Sequence, residues 1–135
     1  MSLEQTFSSY TRLKERAMNK PLDTENGIPV MTLHTLRQLC IQRGGYETPE
    51  LNDTLYLHFN GFTRIGEAIS AYYGAKSIFM ESNGITKIEN LEALTNLTSL
   101  FLQKNRVKVI ENLDSLQGTK ALHTLSRKID SFGAM

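Results

Sequence analysis

Residues 77–97 read SIFMESNGITKIENLEALTNL, and residues 99–119 read SLFLQKNRVKVIENLDSLQGT. The second is a rewording of the first in the same register. Ile78-x-Met80-x-x-Asn83-x-Ile85-x-x-Ile88-x-x-Leu91-x-x-Leu94 becomes Leu100-x-Leu102-x-x-Asn105-x-Val107-x-x-Ile110-x-x-Leu113-x-x-Leu116, and all seven positions match at an offset of 22 residues. A catalytic motif has no reason to recur at a short fixed period. A structural unit that buries its apolar face only against a copy of itself does.

The spacing has a physical reading. Alternation in Leu-x-Leu sends the leucines to one side of a short strand. The asparagine then turns the chain, and its amide can bond backbone groups that stacked strands leave unpaired. Apolar residues three apart line a second wall of short helical or 3₁₀ turns. Each unit is expected to be one coil of a solenoid. A looser first unit precedes the pair: Leu55, Leu57, Asn60, Phe62, Ile65 and then Ile69, with an offset of 23 over its first five positions. The fold class expected is an α/β solenoid, a short leucine-rich repeat array with a parallel concave sheet and an N-terminal helical cap.

The cap is read from residues 31–53. Thr32 suits an N-cap, Leu33, Leu36, Leu39 and Cys40 share a helical face, and Gly44 and Gly45 stand where a left-handed C-cap would end the helix. Such a helix would cover the open edge and apolar end of the first unit. Residues 1–30 divide into an arm and a linker. In the arm, Leu3, Phe7, Tyr10, Leu13 and Ala17 have helical spacing, which fits an amphipathic helix or a frayed end. NKPLDTENGIP is read as linker, because prolines and a glycine punctuate it. Units fill 54–119. Over 120–135 the pattern falters: Leu122 fits, but Thr124 and Arg127 stand where Leu102 and Asn105 lead one to expect a leucine and an asparagine. That segment is a degenerate cap or a cut in the array. In either case the last strand offers an edge for self-association.

Composition narrows the function. Fifteen basic residues against fourteen acidic ones give a net charge of +1 over 135 residues, without the clustered basic excess of a nucleic-acid footprint. No apolar stretch approaches the roughly 18 residues of a membrane span. The opening residues lack the apolar core of a secretory signal. With Cys40 as the one cysteine there is no intrachain disulfide. The sequons at Asn52 and Asn96 read as chance matches. His34, His58 and His123 lack metal-ligand spacing. Glu89, Glu92 and Glu111 recur with the repeat and read as solvated positions. No nucleophile, base and orienting group can be assembled, and no cofactor is expected.

The outward columns of the strands are the candidate site. Tyr56, Phe79 and Phe101 share one register, and His58, Glu81 and Gln103 the next. Adjacent strands lie about 4.8 Å apart, so the aromatics should form a stripe. The core already has its leucines. The stripe therefore serves a partner, or a neighbouring segment covers it. Asn60, Asn83 and Asn105 form a structural ladder on the same logic.

Two longer stretches carry a resemblance. MTLHTLRQLCIQRGGYETPELNDTLYLHFNGF, residues 31–62, resembles the segment that opens the repeats of the axonemal dynein assembly factor 1 family, and MESNGITKIENLEALTNLTSLFLQKN is similar to the repeats that follow. The IENL style alone is shared with phosphatase regulatory subunits, a spliceosomal A-prime protein and an axonemal dynein light chain. The RGGYETPELNDTLYLHF leader decides the assignment. The resemblance covers about residues 31–119. It implies a non-enzymatic scaffold of the cytoplasm and the cilium or flagellum, helping to preassemble axonemal dynein arms. Its implied partners are dynein chains, assembly factors or chaperones, with no nucleic acid and no membrane. The alternative is a repeat-bearing regulatory subunit of a phosphatase or another complex. This chain departs from the family in lacking its further repeats and long tail, and in having Phe79 where the family often has Trp.

Overall fold

The computed structural model describes residues 20–113. The readings of the arm at 1–19, of Leu116 and of segment 120–135 lie outside the described residues.

The described chain opens with a hairpin. Strands β1 (Thr24–Glu25) and β2 (Ile28–Pro29) pair antiparallel. Asn26 and Gly27 between them have φ of 53° and 80°, the two successive left-handed residues of a type I′ turn. This stretch was expected to be linker, and instead it is tied to the helix that follows. The Asp23 amide donates to Thr35 Oγ1 at 3.1 Å, the Thr32 hydroxyl donates to the Asp23 carboxylate, and Leu22 packs against the core.

Helix α1 (Leu33–Gln42) begins where Thr32 Oγ1 accepts from the Thr35 amide at 3.2 Å. It ends in a Schellman turn. Gly44 lies at φ 79°, its amide donates to Ile41, and the Gly45 amide donates to Cys40 at 2.8 Å. Leu36, Leu39 and Cys40 are buried against the first unit, with α1 packed on β3 (Thr54–Tyr56) and on the 3₁₀ turn Glu67–Ala71. The fit leaves no room for side chains at two glycines. A Cβ on Gly66 would meet the Met31 carbonyl oxygen at 2.3 Å, and one on Gly74 would meet that of Glu50 at 2.4 Å.

Strands β3, β4 (Ser77–Phe79) and β5 (Ser99–Phe101) form a parallel sheet in chain order. Thr54, Ser77 and Ser99 are in register, as are Leu55, Ile78 and Leu100, and then Tyr56, Phe79 and Phe101. Backbone bonds extend the ladder past the strands: the amides of Leu57 and Phe59 donate to Phe79 and Glu81, and those of Met80 and Ser82 donate to Phe101 and Gln103.

Behind the sheet, Leu55, Leu57, Ile78, Met80, Leu100 and Leu102 are fully buried. The facing wall is built of residues three apart: Ile69, Tyr72 and Ala75 in the first unit, and Leu91, Leu94 and Leu97 in the second. In each trio the second and third amides donate to the carbonyl three residues earlier, so tight turns aim every third side chain inward. In the third unit the pattern and the burial part. Ile110 occupies the position of fully buried Ile88 yet is 49% exposed, and Val107 is only partly buried. The repeat predicts a core residue at Ile110. Among the described residues, however, a coil flanks it on one side only.

Candidate functional site

The outward face of the sheet carries the residues between the leucines. Tyr56 and Phe79 stack with ring centroids 5.2 Å apart and planes 9° from parallel, and Phe79 and Phe101 stack at 4.5 Å and 1°. Strand spacing and a shared register make this stack, since each ring stands above the same point of its strand. Tyr56 is exposed, while Phe79 and Phe101 are half-buried.

The next column holds His58, Glu81 and Gln103, all half-buried. Arg43 Nη2 lies 3.2 Å from His58 Nε2. A guanidinium can only donate, so Nε2 accepts, and in the neutral ring the proton sits on Nδ1. That Nδ1, Glu81 Oε1 and Gln103 Oε1 are each shut off from solvent without a hydrogen-bond partner. His58 also meets Tyr56 and Phe59 edge-on, at 6.4 and 5.6 Å between centroids.

Phe59 belongs to this surface and was not anticipated from the sequence. It is 73% exposed, with φ at 55°. Ser82 and Lys104, one and two units on, have φ of 57° and 58°. Each coil therefore takes one left-handed residue just before its asparagine. A phenylalanine is poorly suited to that conformation and gains little burial there.

The asparagines join unit to unit. Asn83 Oδ1 accepts from the amides of Asn60 at 3.0 Å and Phe62 at 3.2 Å, and its Nδ2 donates to Leu57 at 2.9 Å and Met80 at 3.0 Å. Asn105 repeats this, accepting from the Ile85 amide and donating to Met80 and Leu102. The side chain of Asn60 donates to His58 within its own turn. A second ladder was missed. Asn90 and Asn112, at φ 65° and 61°, donate from Nδ2 to the carbonyls of Ile65 at 2.7 Å and Ile88 at 2.6 Å. The identical Glu-Asn-Leu triplets one period apart were the available signal. Glu89, expected to be solvated, is half-buried and pairs with Arg64 of the first unit at 2.7 Å. Glu92 and Glu111 are exposed. Buried Asn52, also unanticipated, holds the loop before β3 by accepting from the Tyr46 amide and donating to the carbonyls of Tyr46, Thr48 and Pro49.

Burial pushes the Cys40 thiol up to about 11, against a smaller opposing effect of the Tyr72 hydroxyl beside it. That hydroxyl makes no hydrogen bond of good geometry, and burial raises its pKa as well. Cys40 is therefore a neutral packing group at physiological pH. Among the described residues no group of His, Cys, Asp and Glu could hold a metal ion, and no helix is long and apolar enough to cross a membrane.

Parallel strands one period apart, inward apolar side chains and cross-unit asparagines thus recur through the described residues. Among known proteins, the chain is 47% identical over 73 residues to Dynein axonemal assembly factor 1 of Peromyscus californicus, covering 54% of this chain and 12% of that relative. It is 54% identical over 52 residues to the Homo sapiens protein of the same name, covering 38% of this chain and 7% of that one. It is 38% identical over 66 residues to Leucine-rich repeat-containing protein ODA7 of Chlamydomonas reinhardtii, covering 49% of this chain and 15% of the other. Over these stretches the chain is similar to the axonemal dynein assembly factor 1 proteins. It spans a small fraction of the length of these relatives. No protein-family model matches it.

Proposed function

We propose that this chain is a section of leucine-rich repeat solenoid, capped at its N-terminal side by α1, that serves as a non-enzymatic protein-interaction scaffold. In this reading it aids cytoplasmic preassembly of axonemal dynein arms for the cilium or flagellum. Its partners are dynein chains, assembly factors or chaperones, held on the outward face of the sheet. One observation carries the reading. A chain related to proteins named as dynein assembly factors presents a continuous stack of three aromatic rings where its core does not need them.

The test is affinity capture from ciliated cells with the chain and with a Phe79→Ser, Phe101→Ser double variant. The intact chain should recover axonemal dynein chains together with chaperones. The double variant should lose them while its circular dichroism stays nearly unchanged. Recovery of a phosphatase catalytic subunit instead would favour the regulatory-subunit alternative. Collapse of the variant's fold would make the aromatics core residues and remove the proposed face.

A further inference from the structure

The aromatic stripe does not account for the column beside it. Glu81 lies two residues past the middle strand, where its carbonyl still accepts from the Phe59 amide, and the Arg64–Glu89 pair shows that this chain can neutralise a carboxylate where it has a cation in reach. Among the described residues Glu81 enters no ion pair, one of its oxygens is sealed from water and unpaired, and Arg43, which meets the same column, lies against His58. Gln103, one strand on, offers a second sealed and unpaired acceptor. An amide N–H from Gln103 would in any case be neutral and leave the Glu81 carboxylate without a counter-charge among the described residues. The single N–H of His58 could reach at most one of the two acceptors. A cation supplied from outside would give the sealed Glu81 oxygen the partner it lacks here.

We infer that Glu81, with Gln103 beside it, takes an arginine or lysine side chain from the polypeptide that docks on the aromatic stripe. This rests on the docking face proposed above and specifies the chemistry of its occupant. A guanidinium fits best, because its planar fork can donate to a carboxylate and a neighbouring amide oxygen together. The spacing specifies more. Phe79 ends β4 and Glu81 follows two residues on, where backbone bonds continue the ladder, a step of roughly 7 Å in extended chain. An extended segment running along the strands repeats that distance between its own alternate side chains. The occupant is therefore an extended segment with an apolar residue and a basic residue two positions apart.

Selection of phage-displayed random dodecapeptides on the immobilised 135-residue chain tests this. Binders that depend on Phe79, judged by loss on Phe79→Ser, should share an apolar residue and an Arg or Lys two positions away. Glu81→Gln keeps the side-chain shape and should weaken those peptides about tenfold, the loss expected for one charge-assisted contact. Gln103→Glu adds a carboxylate and should tighten them. Thermal melting of both variants checks that the fold survives. Phe79-dependent binders without a basic residue, or binding to Glu81→Gln within about twofold of the original, would overturn the inference and leave the docking face standing. If no Phe79-dependent peptide emerges, the docking face itself fails, and the inference falls with it.

Discussion

The second and third units share a sequence pattern but not an environment. Ile88 has coils on both sides and is fully buried. Ile110 fills the same position and is 49% exposed. The Asn83 side chain bonds backbone on its own unit and on the one before, while the Asn60 side chain, among the described residues, bonds only within its own turn. In stacked repeats the residue type sets what a position can bury, and the neighbour sets what it does bury. Stability is then close to a sum of unit and interface contributions.

The largest test of that comparison is a matched pair of truncations. Ile88→Ala should cost about 2–5 kcal/mol, the range for emptying a core position. Ile110→Ala should cost less than about 1 kcal/mol, as at an exposed site. Equal shifts in urea midpoint would show that Ile110 is covered after all. A smaller contrast separates the asparagines. Asn83→Ala leaves several backbone groups without partners and should cost roughly 1–3 kcal/mol. Asn60→Ala should fall well below that, and chemical denaturation of the two variants side by side will rank them. The smallest effect has the opposite sign. Phe59→Asn places a residue that tolerates left-handed backbone where a phenylalanine now stands, and should raise the stability by up to about 1 kcal/mol. A fall in stability would mean that the ring's contact with His58 outweighs its backbone strain.

The period was legible because Leu-x-Leu and Asn recur in strict register, and the parallel pairing of Leu55, Ile78 and Leu100 follows that register. The ends of α1 were legible too, since Thr32 and Gly44 are chemically specific signals. The hairpin was not. Its strands are two residues each, too short for an alternation to show, and the prolines flanking Asn26-Gly27 suggested a linker. The second ladder hid in plain repetition, because Asn90 and Asn112 sit among charged residues that read as surface. Left-handed backbone at Phe59, Ser82 and Lys104 carries no side-chain signature, because the coil's closure imposes it on whatever residue falls there. The exposure of Ile110 depends on its neighbours, which a match between positions does not report. The partner-binding role of Tyr56, Phe79 and Phe101 remains a proposal that rests on their placement.

The glycines at 66 and 74 bear on how such a chain can grow. The second unit touches its neighbours through backbone carbonyls and asparagine amides that recur every 22 residues, so a duplicated copy of it would find the same partners one period further on. The first unit is different. Its backbone lies against the carbonyls of Met31 and Glu50 so closely that no Cβ fits. It is keyed to the leader on one side and hydrogen-bonded to the second unit on the other. Internal duplication can lengthen this array from its middle, whereas any change in the leader has to fit the first unit.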